Sequence, residues 1–258
     1  MSFGGRVALV TGAGRGIGRE TVRVLAERGA AVVINDLGRM GPAEDLAREL
    51  GASRAVAVRA DVTVSAEVDR MVGEAVAAFG RIDILVNNAG GSLGTPRFLE
   101  EVSDDDWRRV VELTLSSQFY VSRAVVPGMK RRGWGRIVNV SSATGVYGDT
   151  AVWSPAYAAA KAGVCGLTRQ LAIELGRHGI TVNAVAPGGT ATEHLREIWA
   201  TDWPESPEQR EARWRATIPL QRPAEPREVA HVVAFLASEE AGFVNGATVD
   251  VNGGERMR

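Results

Sequence analysis

The 258-residue chain reads as one doubly wound α/β domain, a mainly parallel seven-stranded sheet with helices on both faces. Three observations predict this. Short apolar runs alternate with amphipathic stretches of helical length, the pattern of successive βαβ units. The runs are almost continuously hydrophobic, as strands are when both faces are covered. The first run passes through a glycine-rich turn directly into a helical stretch. No linker, repeat or low-complexity segment divides the chain.

Taken in order, strands are expected over 7–11, 31–35, 55–59, 84–87, 136–140, 181–185 and 248–251. Helices are expected between them, over 17–29, 42–51, 65–80, 104–132, 155–178 and 226–238. The helix over 104–132 ends in Lys130-Arg131-Arg132, which complements the negative end of its dipole rather than marking a polyanion site. The helix over 155–178 opens on Ser154-Pro155, and proline suits a first turn, where its missing N–H costs nothing. The stretch from 188 to about 223 breaks the pattern: it has no clean strand and contains Trp199, Trp203 and Trp214. It is either a surface helix pair or a lid over 189–217 that lends apolar walls to a substrate pocket.

Composition narrows the function. Hydrophobic residues make up 45% and charged residues 24%, the balance of a globular protein with a sizeable core. A formal net charge of −1 attracts neither nucleic acid nor an anionic membrane. The one cysteine, Cys165, lies in an apolar helical setting, so a buried inert thiol is expected and an internal disulfide is excluded. His178, His194 and His231 are scattered, with no metal-ligand spacing. The start lacks a signal-peptide pattern and no apolar run is long enough to span a membrane, so a cytoplasmic protein is expected.

The turn after the first strand is Thr11-Gly12-Ala13-Gly14-Arg15-Gly16-Ile17-Gly18, spaced T-G-x-x-x-G-x-G. Its glycines permit a tight turn and let backbone N–H groups approach a pyrophosphate at the helix N-terminus. Asp36 ends the second strand. An acid there accepts hydrogen bonds from an adenine ribose diol and repels a 2′-phosphate, which favours NAD. Arg15 and Arg39 keep NADP open, because either guanidinium could reach a 2′-phosphate.

Tyr157 and Lys161 stand four apart, on one face of the Ala-rich helix. A free phenol, with a pKa of about 10, is a poor proton shuttle at neutral pH. A fixed ammonium beside it favours phenolate and is expected to pull that value down.

Together these motifs resemble the short-chain dehydrogenase/reductase family along nearly the whole chain, and in particular its 3-oxoacyl-carrier-protein reductase branch. The resemblance rests on Thr11-Gly12-x-x-x-Gly16-x-Gly18, Asp61-Val62, Asn87-Asn88-Ala89-Gly90, Ser141-Ser142, Tyr157-x-x-x-Lys161, and Pro187-Gly188 followed by Thr190 and Thr192. It implies a Rossmann-like fold and a nicotinamide-dependent oxidoreductase acting on a secondary alcohol or ketone. Gly12, Arg15, Gly16, Ile17, Gly18 and Asp36 would hold the dinucleotide. Asp61 and Val62 would meet the adenine, and Asn88, Ala89 and Gly90 would line the adenosine and ribose side. Asn87 would brace the sheet through side-chain-to-backbone bonds. Pro187, Gly188, Thr190 and Thr192 would hold the nicotinamide, and Lys161 its ribose.

Hydride transfer to a carbonyl builds negative charge on oxygen, so the site needs a proton donor and an orienting hydroxyl. Tyr157 fits the first and Ser142 the second, with Ser141 the competing hydroxyl. The spacing from Ser142 to Tyr157 implies a small insertion near 149–153. The chain departs from the family in one place. After Trp107-Arg108-Arg109-Val110-Val111-Glu112-Leu113 it carries Thr114, where the family places an Asn that holds a water leading from the lysine to solvent. Thr114 is expected to hold that water; a rerouted relay or a weak, specialised catalyst are the alternatives. A nucleotide-binding or regulatory protein without turnover, and a non-redox lyase or epimerase, are the competing functions. Residues 91–98, 144–153 and 189–217 would wall the pocket, where Tyr147, Trp153 and the tryptophans of the lid suggest an apolar, cyclic or aromatic substrate. The resemblance also implies a homotetramer built through the helices over 104–132 and 155–178 and the last strand.

Overall fold

The computed structural model describes residues 1–148, 154–193, 195, 197 and 206–257. The expected insertion near 149–153, Trp153, Trp199 and Trp203 lie outside them.

The chain begins with β1 (Val7–Val10), α1 (Gly16–Glu27), β2 (Ala31–Asp36), α2 (Met40–Leu50), β3 (Ala55–Arg59), α3 (Ser65–Phe79) and β4 (Ile84–Asn87). It continues through α4 (Asp104–Val111), α5 (Ser117–Arg132), β5 (Gly135–Val140), α6 (Ala143–Tyr147) and α7 (Pro155–Leu175). Then come β6 (Ile180–Pro187), α8 (Pro207–Thr217), α9 (Pro226–Leu236) and β7 (Thr248–Val251). All seven strands lie in one sheet, in the order β3-β2-β1-β4-β5-β6-β7, and every pairing is parallel. The fold is the expected doubly wound, Rossmann-like one. Strand order reverses between β1 and β4, and the crevice beyond their carboxyl ends is where such sheets bind ligands.

The continuous apolar strands feed two cores. Successive strand residues point to opposite faces. Ala8, Val10 and Ile34 pack with Val22 and Leu25 of α1 and Val229 and Val233 of α9. Leu9, Val33 and Leu85 pack with Met71 of α3, Val121 and Met129 of α5 and Leu175 of α7. Each fully buried Leu or Ile contributes about 2 kcal/mol by leaving water.

Polar crossbeams join the layers. Asn87 Nδ2 donates to Asn139 Oδ1 (2.9 Å) and Ser122 Oγ (3.0 Å), and Asn139 Nδ2 donates to Thr168 Oγ1 (2.9 Å). Asn87 therefore braces the sheet through side chains, not through the backbone bonds expected. The strand backbones already satisfy one another in the parallel ladder, so the buried amide pairs with its own kind.

The single helix expected over 104–132 is two helices joined by a π-helical turn, Glu112–Ser116. The extra residue in that turn rotates Thr114 inward to full burial. Leu115 meanwhile presses on α7, where a Cβ at Gly163 would come within 2.7 Å of its Cδ2. Among its described residues, the stretch after β6 holds no strand; it carries a bridge from Thr190 to Ala224, helical residues at Glu193, Leu195 and Glu197, and α8. A capping box from Ser206 and Gln209 starts α8, and Trp214 on α8 packs on Gly189. Among the described residues, no helix is long and apolar enough to cross a membrane.

Candidate active site

The glycine-rich turn joins β1 to α1 at the point where strand order reverses. Gly12 has φ +60°, and a side chain there would also strike Ala89 beyond β4. Gly18 allows α1 to close on the turn: a Cβ would come within 2.6 Å of Gly12 O and Asn88 Nδ2. Asn88 ties the two ends together, its Nδ2 donating to Thr11 O and Gly12 O at 2.9 Å. The N-terminus of α1 has no capping side chain and no acid in its first turn. Its positive end is left for an anion from elsewhere. The Gly16 N–H donates to the carboxylate of Glu193 at 3.1 Å, so the cradle does accept an anionic oxygen. Asp36 lies against the same turn, accepting from Gly14 N (2.9 Å), Gly38 N (3.1 Å) and Arg39 N (2.9 Å). These features fit a dinucleotide: a pyrophosphate at the helix end, with an acid beside its ribose.

The second half of the site lies beyond β5. Ser142 follows the strand and caps α6, its Oγ accepting from Thr144 N at 3.2 Å. Its hydroxyl also hydrogen-bonds Tyr157. Ser154 caps α7 by accepting from Tyr157 N, and it is hydrogen-bonded to Thr95 Oγ1 at 2.7 Å. That second bond ties the start of α7 to the loop over 91–98. Lys161 lies one turn beyond Tyr157 and is buried. Its Nζ donates to Val140 O at 2.6 Å and lies 5.6 Å from the centre of the Tyr157 ring. Ser141 turns the other way, donating to Lys161 O at 2.8 Å with Cys165 Sγ 3.2 Å away. Cys165 is buried, as expected.

Burial sets the charges here. It pushes the Tyr157 phenol up to about 12, and the Ser142 hydrogen bond opposes it. It pulls Lys161 down to about 8. The expected lowering of Tyr157 by Lys161 is therefore corrected: both groups lose hydration in one cleft, and the ammonium is turned toward the Val140 carbonyl. Tyr157 is an acid in this state, not a phenolate.

Thr114 is close to Lys161. A Cβ at Gly90 would lie 3.3 Å from Lys161 Nζ and 3.5 Å from Thr114 Oγ1. The Thr114 hydroxyl donates to Gly91 O (3.1 Å) and accepts from Gly91 N (3.2 Å). Its only proton is spent, so toward Lys161 it can act only as an acceptor.

Other expected residues have local partners. Asp61 Oδ1 accepts from Thr63 N (2.9 Å) and Thr63 Oγ1 (2.6 Å), and the Val62 side chain sits in the core. Pro187 ends β6, and Thr190 Oγ1 donates to Gly188 O at 3.1 Å. Thr192 accepts from Leu195 N at 3.2 Å and leans on Gly16. Tyr147 is hydrogen-bonded to Asp250 Oδ2 on β7 at 2.7 Å.

Three further residues join the site without having stood out in the sequence. Gln118 is buried, and its Nε2 donates to Thr114 O (3.3 Å) and to Val140 O (3.5 Å), the carbonyl that holds Lys161. Its position one turn after Thr114 was the available signal. Glu193 and Glu197 reach back to the glycine-rich turn, and nothing local in the sequence joins such distant segments.

A family model described as enoyl-(acyl carrier protein) reductase matches residues 12–255. The chain is 40% identical over 257 residues to the 3-oxoacyl-(acyl-carrier-protein) reductase FabG of Escherichia coli, covering 100% of both. It is 44% identical over 256 residues to cis-4-hydroxycyclohexanecarboxylate dehydrogenase of Sinomonas cyclohexanicum, covering 98% of this chain and 97% of that one. It is 41% identical over 261 residues to (2S)-((R)-hydroxy(phenyl)methyl)succinyl-CoA dehydrogenase subunit BbsD of Thauera aromatica, covering 100% and 99%. With the glycine-rich turn, the Ser142–Tyr157–Lys161 cluster and the parallel sheet in place, the chain belongs to the short-chain dehydrogenase/reductase family, a nicotinamide-dependent oxidoreductase acting on CH–OH and C=O groups.

Proposed function

We propose an NAD(H)-dependent enzyme that interconverts a cyclic or aromatic secondary alcohol and its ketone, with Tyr157 as the acid–base. One observation carries this: Ser142, Tyr157 and Lys161 converge beyond β5, beside a glycine-rich turn that accepts an anionic oxygen. When bound, the nicotinamide supplies or takes the hydride. Tyr157, a phenol at neutral pH, gives its proton to the developing alkoxide. Ser142 orients the carbonyl through the hydroxyl that already meets Tyr157. Lys161 adds positive charge and reaches the nicotinamide ribose, and Thr114 accepts from it toward solvent. Gly12, Arg15, Gly16, Ile17, Gly18 and Asp36 hold the pyrophosphate and adenine ribose. Asp61 and the Val62 backbone meet the adenine, and Asn88, Ala89 and Gly90 close the adenosine side. Pro187, Gly188, Thr190 and Thr192 hold the nicotinamide.

The Asp36 carboxylate at Gly14 supports NAD. The substrate class is supported by two relatives, a hydroxycyclohexanecarboxylate dehydrogenase and a hydroxy(phenyl)methylsuccinyl-CoA dehydrogenase. Leu93 and Phe98, both exposed in the loop over 91–98, offer an apolar rim. The described residues of 189–217, on either side of the part that lies outside the described residues, border the pocket in this reading, and a cytoplasmic homotetramer completes it.

Absorbance at 340 nm with NAD(H) and NADP(H), run against cyclic, aryl and 3-oxoacyl ketones and their alcohols, tests it. Tyr157→Phe should lower turnover by about 10² to 10⁴-fold while NADH still binds by fluorescence. Retained turnover rejects Tyr157 as the acid–base.

A further inference from the structure

We propose that Glu197 selects the cofactor, by occupying with its own carboxylate the guanidinium pair that a 2′-phosphate would need. Arg15 Nη1 donates to Glu197 Oε2 at 2.5 Å. Arg39 Nη2 donates to Glu197 Oε1 at 3.0 Å and Oε2 at 3.3 Å. One carboxylate thus bridges two arginines from different loops. Both arginines border the ribose-binding acid. Arg15 follows Gly14, whose N–H binds Asp36, and a Cβ at Gly14 would lie 2.6 Å from Arg39 Cβ and 2.9 Å from Asp36 Oδ2.

Glu193 and Glu197 are both helical and four apart, so they share a face. Thr192 starts their turn by accepting from Leu195 N. From that face Glu193 meets the Gly16 N–H and Glu197 meets the arginines. The two glutamates mimic two different phosphates. A pyrophosphate at Gly16 needs only the Glu193 side chain to swing aside, whichever dinucleotide brings it. A 2′-phosphate must also displace Glu197, because carboxylate and phosphate compete for the same guanidinium forks. The Arg15 and Arg39 contacts hold the Glu197 carboxyl below the usual range, so it stays charged at working pH. A single exposed ion pair contributes little, but here one carboxylate engages both guanidinium groups at once.

This deepens the NAD reading above and rests on it only for the place where the adenine ribose sits. Equilibrium binding of NADH and NADPH, followed by nucleotide fluorescence without substrate, is the test. Glu197→Gln should tighten NADPH by about fivefold or more while NADH changes by less than about twofold. Glu193→Gln should shift both dinucleotides by one common factor and leave their ratio alone. In an Arg15→Met/Arg39→Met background, Glu197→Gln should have no further effect on NADPH. An unchanged NADPH affinity in Glu197→Gln, or an equal shift for both cofactors, overturns the proposal. The wild-type preference is a separate readout: a wild type that favours NADPH rejects the NAD assignment, while the Glu197→Gln to wild-type ratio still judges Glu197.

Discussion

Lys161 shows how burial can outweigh a charge pair. Its spacing from Tyr157 was legible in the sequence, because four residues on a helix share a face. The direction of the pKa coupling was not legible, because it depends on how much water each group loses. With Lys161 lowered to about 8, its proton is held below that pH and lost above it. Ketone reduction by the wild type should therefore fall as pH rises through about 8. Thr114→Ala removes an acceptor beside the ammonium and penalises the charged form. The midpoint should move down by about half a unit, the worth of a weak hydrogen bond. An unmoved midpoint removes Thr114 from the proton path. Ser142 and Ser141 divide by the same logic of partners: one faces Tyr157, the other is spent on Lys161 O.

At the scale of elements, most boundaries follow from periodicity. The strands come close to expectation, since a parallel strand is marked by an unbroken apolar run, though β6 extends through Pro187. The π-helical turn was invisible, because a helix-like pattern does not record one extra residue when tertiary contacts with Gly91 and α7 select it. Asp83, just before β4, shows what sets strand register at the far end of the sheet. Its buried carboxylate accepts from Val7 N at 3.0 Å and pairs with Arg81 (2.5 Å) and Arg132 (3.4 Å). Asp83→Ala strands the Val7 N–H and two cations. It should destabilise the fold by about 2–3 kcal/mol, read as a lower urea midpoint with an unchanged slope. A midpoint within error of wild type refutes that role.

At the scale of the molecule, apolar side chains remain outside the cores. Trp107 on α4, Phe119 on α5 and Ile173 on α7 are exposed, as is Phe243 before β7. These are the elements through which the resemblance implies assembly. Light scattering should give the mass of four 27.4 kDa chains, and Ile173→Glu should lower it. A wild-type monomer mass rejects the tetramer. The order of strands and helices, the glycine-rich turn and the Tyr157–Lys161 pair were determined by the sequence alone, because each depends on local periodicity, turn chemistry or short spacing. Only the tertiary structure decided the protonation of Tyr157 and Lys161, the inward turn of Thr114 and the reach of Glu197 to Arg15 and Arg39. Those depend on desolvation and on contacts between segments far apart in the chain, which no local pattern encodes.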